Sequence, residues 1–384
     1  MPARAPLAWL QLSHGRVKLI VAVAGVVVAV LLMLMQLGFM QAAFESALTV
    51  PRKIDAELIV ISPQSQALFR TAQFPRALLY RMPSVPGVES VRSIYLATLP
   101  WHNPWTRGEQ SVFVYGIEPG DPPLKLPGLK ENWSAVRSSD AVIYDSKSKP
   151  IFGPVAESYR EGKNVEVEVN RRRVNVVGLA EAGNSFGIDG TLFTSDLNFL
   201  RLAPQRTSSG IDLGLVHLQE GVDPKSVQGE LQKLAGPEAT VLTHQEFLDF
   251  EHNYWARSSP IGFIFTLGAV VGFCIGFVIV YQILYTDVSN HLSQYATMKA
   301  MGFTDGYLVK LVLKEAVMLA TLGYWPGMLL AWGLYEIARN ATALPLDMTW
   351  QRVLGVFAAT LVMCLISGAV AVRRLRAAQP ADVF

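Results

Sequence analysis

The sequence is poor in charged residues and contains only two cysteines. Charged residues make up 17% of its 384 positions, whereas roughly 25% is usual for soluble domains. Both cysteines, Cys274 and Cys364, lie inside long apolar runs, and the polar sequence between Glu45 and Arg257 has none. That part of the chain is therefore not a disulfide-stapled domain. The net charge of +2 gives no indication of a nucleic-acid partner.

Nucleotide-binding and metal-binding motifs are also missing. No G-x-x-x-x-G-K-[ST] sequence occurs, and Gly162-Lys163, the only Gly-Lys pair, lacks the flanking residues of a phosphate-binding loop. Any nucleotide must therefore bind to another polypeptide. The histidines have no metal-ligand spacing, so the sequence predicts no metal site. They are His14, His102, His217, His244, His252 and His291.

What the sequence does contain is four long runs without a charged residue: residues 19–44, 258–286, 316–335 and 353–372. Each is about as long as the ~20 residues that a helix needs to cross a ~30 Å hydrocarbon core. The first run exceeds the apolar core of a cleavable signal peptide, which has ~7–15 residues, so we interpret it as an uncleaved anchor. The sequence predicts a membrane protein in contact with lipid, with one span, a large polar insert and three further spans.

Basic residues flank the two outermost runs. Arg16 and Lys18 precede the first run, and Arg373, Arg374 and Arg376 follow the last one. The positive-inside rule makes them topology anchors that place both termini in the cytoplasm and the insert outside it. The predicted division is 1–18 cytoplasmic segment, 19–44 first span and start of a stalk, 45–257 extracytoplasmic domain, 258–286 second span, 287–315 cytoplasmic loop, 316–335 third span, 336–352 short outer loop, 353–372 fourth span and 373–384 cytoplasmic tail.

No Lys, Arg, Asp or Glu lies near the centre of a predicted span. Ionisable groups inside the membrane usually mark proton relays or ion pathways. Their absence argues against an ion-coupled transporter or a channel. If the protein moves a substrate, we expect the energy to come from a partner.

The polar insert has the pattern of an α+β domain. Alternating or β-branched segments predict strands at 56–62, 89–98, 111–117, 141–144, 165–169, 173–179 and 213–218, with a hairpin turn near Asn170-Arg171. Helical spacing predicts helices at 66–81 and 224–234. Thr243 and Glu246 form a capping-box pattern that opens a helix toward the second span, and Pro260 is expected to interrupt that helix.

Two segments of the insert invite a functional interpretation. Gly183-Asn184-Ser185-Phe186-Gly187 fits the G-x-S-x-G pattern of α/β-hydrolases, but a turn follows it where a hydrolase has a helix. We favour a structural loop, and an esterase using Ser185 is the minor alternative. The aromatic segment 101–105 either meets a partner or packs against its own domain.

The loop between the second and third spans has the pattern of a short amphipathic helix. Leu292, Tyr295, Met298 and Met301 recur every three residues, and Gly302 stands where a C-cap glycine belongs. Such a helix is either an interfacial anchor or a knob that docks into a groove of a cytoplasmic partner.

This loop also carries a family resemblance. Residues 294–302, Q-Y-A-T-M-K-A-M-G, resemble the E-I-G-v-l-[RK]-A-L-G signature that follows the second span in the FtsX/MacB superfamily of ABC permeases. Pro86-Gly87-Val88, the V-V-G-L of 176–179 and the basic segment with Pro-Ala at 373–381 agree with it. Four segments resemble the cyanobacterial DevC-type permeases more closely: 7–12, 58–65, 185–190 and 295–302.

The resemblance implies a four-span, one-plus-three architecture of the MacB-like type VII class, with an α+β periplasmic domain, in the bacterial inner membrane. It implies a homodimer paired with a separate ABC ATPase, which would bind ATP and Mg, so that this chain itself has no enzymatic activity or cofactor. Tyr295, Met298 and Met301 would be apolar knobs of a coupling helix closed by Gly302, and Gln294 and Lys299 would make polar contacts. Gln294 replaces the Glu of the signature, so a salt bridge is not expected there.

A membrane-fusion adaptor and a TolC-like duct are further partners that the resemblance implies, with a glycolipid or another envelope component as the exported substrate. The alternative is an FtsX-like transmitter that controls a periplasmic enzyme without transport, and a lipoprotein-releasing permease is a variant of the first interpretation. Gly268, Gly272 and Gly276, four residues apart, indicate close helix packing, either between two copies or within one chain.

Overall fold

The structure is a computed structural model that describes residues 16–183, 185, 187–258, 260–291, 293–294, 297–298, 301–342 and 344–377, without the side chains of 16, 305, 308 and 373–377. The helices are α1 (Arg16–Ala47), α2 (Arg76–Leu79), α3 (Leu129–Asn132), α4 (Val155–Arg160), α5 (Asp196–Leu202), α6 (Pro224–Ala235), α7 (His244–Asn253), α8 (Pro260–Asn290), α9 (Asp305–Thr342) and α10 (Trp350–Ala377). The strands are β1 (Leu58–Ile61), β2 (Phe74–Pro75), β3 (Val88–His102), β4 (Glu109–Ile117), β5 (Ala141–Asp145), β6 (Glu166–Val169), β7 (Arg172–Ala180), β8 (Thr191–Ser195), β9 (Gly210–Ile211), β10 (Leu213–Leu218) and β11 (Thr240–Thr243).

The described residues fold as two compact units, a helical one within 1–42 and 260–384 and an α/β one within 43–259. Within the described part of the chain, four helices are long and apolar enough to cross a membrane, over Val17–Lys53, Pro260–Asn290, Val309–Thr342 and Trp350–Val372. The predicted arrangement of one span, an insert and three spans is therefore confirmed.

Helices α8 and α9 extend beyond the apolar runs that predicted them. Helix α8 continues to Asn290, and α9 already begins at Asp305. Lys310 and Lys314 precede the third apolar run. Because lysine is a good helix former, the helix can begin before the apolar sequence does. The connection between these two helices is shorter than the predicted loop of 287–315.

The glycines of α8 pack against α1 of the same chain. A Cβ at Gly268 would lie 2.5 Å from the side chain of Gln36, and one at Gly276 would lie 2.5 Å from the Cβ of Ala29. Small residues allow this close approach of two helix backbones. Of the two alternatives that the glycine spacing left open, the structure shows packing within one chain.

The α/β unit is built on a nine-stranded sheet with the order β11-β1-β10-β3-β4-β8-β5-β7-β6. The first half of β3 pairs with β10 and its second half pairs with β4. An additional pairing of Trp101 with Val169 joins β3 to β6. The strands β3, β4, β8, β5, β7 and β6 therefore close into a ring. Strand β3 is therefore common to both halves of the sheet.

Several local predictions are confirmed. Strand β10 and helix α6 lie where the pattern placed them, and the β6–β7 hairpin turns at Asn170 and Arg171, whose φ angles are 49° and 64°. The capping box is complete, since Thr243 Oγ1 accepts a hydrogen bond from Glu246 N and Glu246 Oε2 accepts one from Thr243 N.

The predicted helix at 66–81 is wrong. Only Arg76–Leu79 is helical; residues 74–75 form the short strand β2, and residues 66–73 form an irregular loop. The loop is held by contacts that are remote in sequence: Leu68 N donates to Glu251, and Thr71 Oγ1 donates to Asp212. These tertiary hydrogen bonds outweigh the local helical spacing.

Helix α7 ends at Asn253 and is followed by a π-helical turn, Tyr254–Ser258. Helix α8 then begins at Pro260. Proline suits the first position of a helix, where an N–H would have no acceptor within the helix. Ser259 lies outside the described residues, so the interruption predicted at Pro260 stays a prediction.

Candidate functional site

The segment that connects α8 to α9 is helical where the structure describes it. Residues 293–294 and 297–298 have helical backbone, and Thr297 Oγ1 donates to the carbonyl of Ser293 over 2.9 Å. Met301 N donates to Thr297 O over 3.0 Å, which extends the helical pattern by one turn.

Gly302 has the geometry of a C-cap glycine. Its φ is 94°, in the left-handed region, and Phe303 N donates to Met298 O over 3.1 Å. This hydrogen bond spans five residues and is the longer of the two that define a Schellman motif. A side chain at residue 302 would strain the turn, so glycine fixes where the short helix ends.

The predicted apolar stripe does not form one free face. Met301 is 65% exposed and Gln294 is also exposed. Met298, in contrast, is partly buried against a cluster of its own chain, which consists of Val288, Leu311, Val312 and Val372. The side chain of Met298 therefore contacts the helical unit, and its role as an apolar knob toward an ATPase stays a prediction. Tyr295, Lys299 and Leu292 lie outside the described residues.

The predicted topology anchors lie at the ends of the first and last membrane helices. Lys18 is exposed in the first turn of α1, which begins at Arg16. Arg373, Arg374 and Arg376 belong to the last turns of α10, and their side chains lie outside the described residues. The orientation of the termini stays a prediction.

Glu315 is an ionisable residue whose burial could not be read from the sequence. It lies in α9, just before the apolar run 316–335, and is fully buried. Among the residues that the structure describes, neither of its carboxylate oxygens has a hydrogen-bond partner. A buried carboxyl group without a donor destabilises the fold, because it has lost its hydration without compensation.

We expect Glu315→Met to stabilise the purified protein by about 1–3 kcal/mol, because methionine fills a similar volume without a polar group. Thermal unfolding in detergent measures the change. Glu336→Met is the matched control: Glu336 is on the same helix but accepts hydrogen bonds from Arg339, so no gain is expected. A loss of stability in Glu315→Met would show that the carboxyl group has a donor and would contradict the prediction.

Arg352 is a second buried charge in the helical unit. Its guanidinium donates to Tyr335 Oη over 3.1 Å, to the carbonyl of Asp347 over 2.9 Å and to Gln41 Oε1. It thereby ties α1, α9 and α10 together at one end of the bundle. Its donors are used within the chain, so we assign it a structural role.

The G-x-S-x-G segment does not form a nucleophile elbow. Strand β7 ends at Ala180, Ser185 forms an isolated bridge with Ile188, and the next regular element is strand β8. An elbow needs a helix directly after the nucleophile, both for its geometry and for the oxyanion hole. The esterase alternative is therefore wrong in its structural premise.

The aromatic segment 101–105 serves mainly its own domain. Trp101 is fully buried and lies against Tyr144 and Phe152. Asn103 is buried as well and accepts hydrogen bonds from the backbone of Trp105 and Thr106. Pro104 and Trp105 are exposed, and His102 is half-buried. Of the two interpretations of this segment, packing describes Trp101 and Asn103.

A polar cluster on the α/β unit joins Arg76, Tyr80, Ser93 and Glu118. Burial alone would raise the pKa of Glu118, but hydrogen bonds from Tyr80 and Ser93 and the charge of Arg76 outweigh it, so the pKa lies below its usual value. The carboxylate is fully occupied by these donors. Within the part of the chain that the structure describes, no group of three His, Cys, Asp or Glu residues could hold a metal ion.

Two family models match the chain. The model of the FtsX-like permease C-terminal region matches residues 258–380. The model of the MacB-like periplasmic core domain matches residues 19–234. The first match includes the connection between α8 and α9, and the second covers α1 and most of the α/β unit. The comparison with curated proteins gives no match.

Solved structures resemble the α/β unit weakly. The periplasmic region of MacB from Actinobacillus actinomycetemcomitans is 14% identical, with 53% of this chain and 95% of that chain covered at a TM-score of 0.36. The extracellular domain of the ABC-type transporter YknZ from Gram-positive bacteria is 15% identical, with coverages of 49% and 100% and a TM-score of 0.33. At these scores the likenesses add nothing to the two family models.

Proposed function

The chain belongs to the FtsX/MacB-type ABC permeases, and from this premise we propose that it transmits the motion of a separate ATPase to its periplasmic domain as part of an exporter. It is a multi-pass inner-membrane protein, with four membrane helices and a MacB-like periplasmic domain. ATP and Mg would bind to the ATPase and not to this chain. We propose that both termini lie in the cytoplasm.

The observation that carries the proposal is the capped helical segment between α8 and α9. One of its methionines, Met298, packs onto the helical unit, and the other, Met301, is exposed beside Gly302. An exposed apolar side chain on a short helix with a glycine C-cap suits insertion into a groove of a partner protein. Met298 would then pass the displacement to the chain's own helices.

The packing of the helical unit suits transmission better than passage of a substrate. Glycines hold α8 close to α1, and Gly323 and Gly327 of α9 lie against Val26 and Val30 of α1. Closely packed helices shift as rigid elements rather than deform. This supports a mechanism in which the helices move the periplasmic domain.

The remaining parts of the assembly follow from the family and are proposed with it. We propose a homodimer, a periplasmic adaptor and a TolC-like outer-membrane duct, with a glycolipid or other hydrophobic envelope component as substrate. The DevC-type subgroup is part of the same proposal.

We expect Met301→Asp to reduce recovery of the ATPase with the permease at least tenfold, because it places a charge where an apolar contact is needed. The measurement is a mild-detergent pull-down of the tagged permease from its native membranes, read by mass spectrometry. The thermal stability of the permease should not change, since Met301 is exposed.

Met298→Asp is the matched comparison. It puts the same charge against the apolar cluster of Val288, Leu311, Val312 and Val372, so it should also lower the thermal stability of the permease. Undiminished ATPase recovery with Met301→Asp would contradict the proposed contact. Recovery of an adaptor with the wild-type protein supports the exporter, whereas recovery of a cell-wall hydrolase would favour the FtsX-like transmitter.

A further inference from the structure

We propose that Trp255 and loop 64–73 form a joint that carries displacement of the π-helical turn to strand β3, with Glu251 as the residue that positions this loop. The joint lies within the α/β unit and rests on the proposed function in one respect: the displacement would come from the ATPase. The role of each residue follows from contacts inside residues 43–259.

The π-helical turn Tyr254–Ser258 is the last described element before α8 begins at Pro260. π-Helical turns are rare in proteins, and those that occur are often at functional sites. Trp255, in the middle of this connection, is only 4% exposed. A large side chain anchored so firmly in a connecting turn transfers any movement of the turn to its surroundings.

The ring of Trp255 contacts two loops. On one side lies Phe69, whose ring centroid is 5.2 Å from that of Trp255. The ring also lies against Gly187, where an added Cβ would come within 2.8 Å of Trp255 Cη2. The ring therefore contacts loop 64–73 through a side chain and the loop around 187 through its backbone.

A buried carboxyl group fixes each of these loops. Glu251, 1% exposed on α7, accepts a hydrogen bond from Leu68 N over 2.6 Å. Asp145, at the end of β5, accepts hydrogen bonds from Ala182 N and Lys147 N over 3.0 and 3.1 Å. Leu68 and Ala182, each in a segment that leads to a contact of Trp255, are thus held by buried carboxyl groups.

Loop 64–73 is also tied directly to the sheet. Thr71 Oγ1 donates to Asp212 Oδ1 over 3.0 Å, and Asp212 Oδ2 accepts from Leu96 N of β3 over 2.8 Å. Arg206 completes the link by binding both Asp212 and the carbonyl of Leu96. The loop therefore connects Glu251 of α7 with Leu96 of β3. Leu68 makes the contact with α7, and Thr71 makes the contact with β3 through Asp212.

The link ends at strand β3, which pairs with strands of both halves of the sheet. It pairs with β10 along its first half and with β4 along its second, and Ile94 takes part in both pairings. Displacement at Leu96 would therefore act where the two halves of the sheet meet.

The first experiment measures hydrogen exchange of the full-length permease in nanodiscs, without a partner. We expect Trp255→Ala to accelerate amide exchange in loop 64–73 and in β3 around Leu96 by roughly tenfold, the effect of losing about 1.4 kcal/mol of local stability. Trp255→Phe should have a smaller effect. Trp105→Ala, at an exposed tryptophan of the same unit, should leave both segments unchanged.

A second substitution tests the route. Thr71→Val preserves the shape of the side chain but removes the hydrogen bond to Asp212. In this background Trp255→Ala should still affect the loop and no longer affect β3. An unchanged effect on β3 would overturn the proposed route, and so would an effect of Trp255→Ala that is confined to the loop.

The third experiment adds the ATPase and compares exchange with and without ATP. In the wild type we expect an ATP-dependent change in β3, which Trp255→Ala abolishes while ATPase binding and hydrolysis stay within about twofold. An ATP-dependent change that persists in Trp255→Ala would overturn the joint. If the wild type itself binds no ATPase, the proposed function fails, and the first two experiments still decide whether the contacts couple.

Discussion

We expect the periplasmic domain to lose stability as the pH rises from about 5 to about 8, and Glu251→Gln to remove most of this loss. Burial raises the pKa of Glu251 from 4.5 to about 8, although the hydrogen bond from Leu68 N opposes the change. The folded domain therefore keeps a proton that the unfolded chain releases above 4.5. Its stabilising contribution is complete below that pH and is lost as the pH rises toward about 8.

The size of this effect is at most about 4 kcal/mol, since each pKa unit corresponds to about 1.4 kcal/mol. Burial also raises the pKa of Asp145 and Asp196, so a smaller loss in the same direction should persist in the variant. At pH 7 and above, Glu251→Gln should be more stable than the wild type, because glutamine cannot become a buried charge but can still accept the hydrogen bond from Leu68 N.

Hydrogen exchange of β3 and β4 peptides at pH 5 to 8, corrected for the intrinsic pH dependence of exchange, measures the stability of this domain in the full-length protein. Asp249→Asn, an exposed carboxylate on the same helix, is the matched control and should keep the wild-type pH profile. A Glu251→Gln profile that follows the wild type would show that Glu251 is ionised in the folded domain.

The second large effect is expected at the ion pair between Arg206 and Asp212. Asp212 is 2% exposed, and its oxygens accept hydrogen bonds from Thr71, Leu96 N and Arg206. Asp212→Asn removes the negative charge and turns one acceptor into a donor that faces other donors. We expect the periplasmic domain to lose about 3–5 kcal/mol, the usual result of leaving one buried charge without its partner.

An exposed ion pair provides the control. Asp121 pairs with Lys130 at the surface, so Asp121→Asn should change the stability by less than about 0.5 kcal/mol. Adding Arg206→Met to Asp212→Asn should recover part of the loss, because it removes the buried charge that has lost its partner. A loss below about 1 kcal/mol in Asp212→Asn would show that Arg206 finds another partner or water.

The sequence determined those features of the protein that depend on one segment at a time. The four apolar runs predicted the four membrane helices, since a span of this length needs only apolar side chains and helical hydrogen bonds. The capping box at Thr243 and the turn at Asn170-Arg171 are equally local, because their hydrogen bonds and φ angles involve neighbouring residues. Gly302 belongs to the same class.

The tertiary structure decided what depends on remote segments. It packed Met298 against its own helical unit, used the glycines of α8 for packing within one chain, and left Glu315 without a donor among the described residues. It also replaced most of the predicted helix at 66–81 by a loop held by Glu251 and Asp212. Burial and hydrogen-bond partners of these side chains are set by residues far away in sequence, and a pattern within one segment carries no information about them.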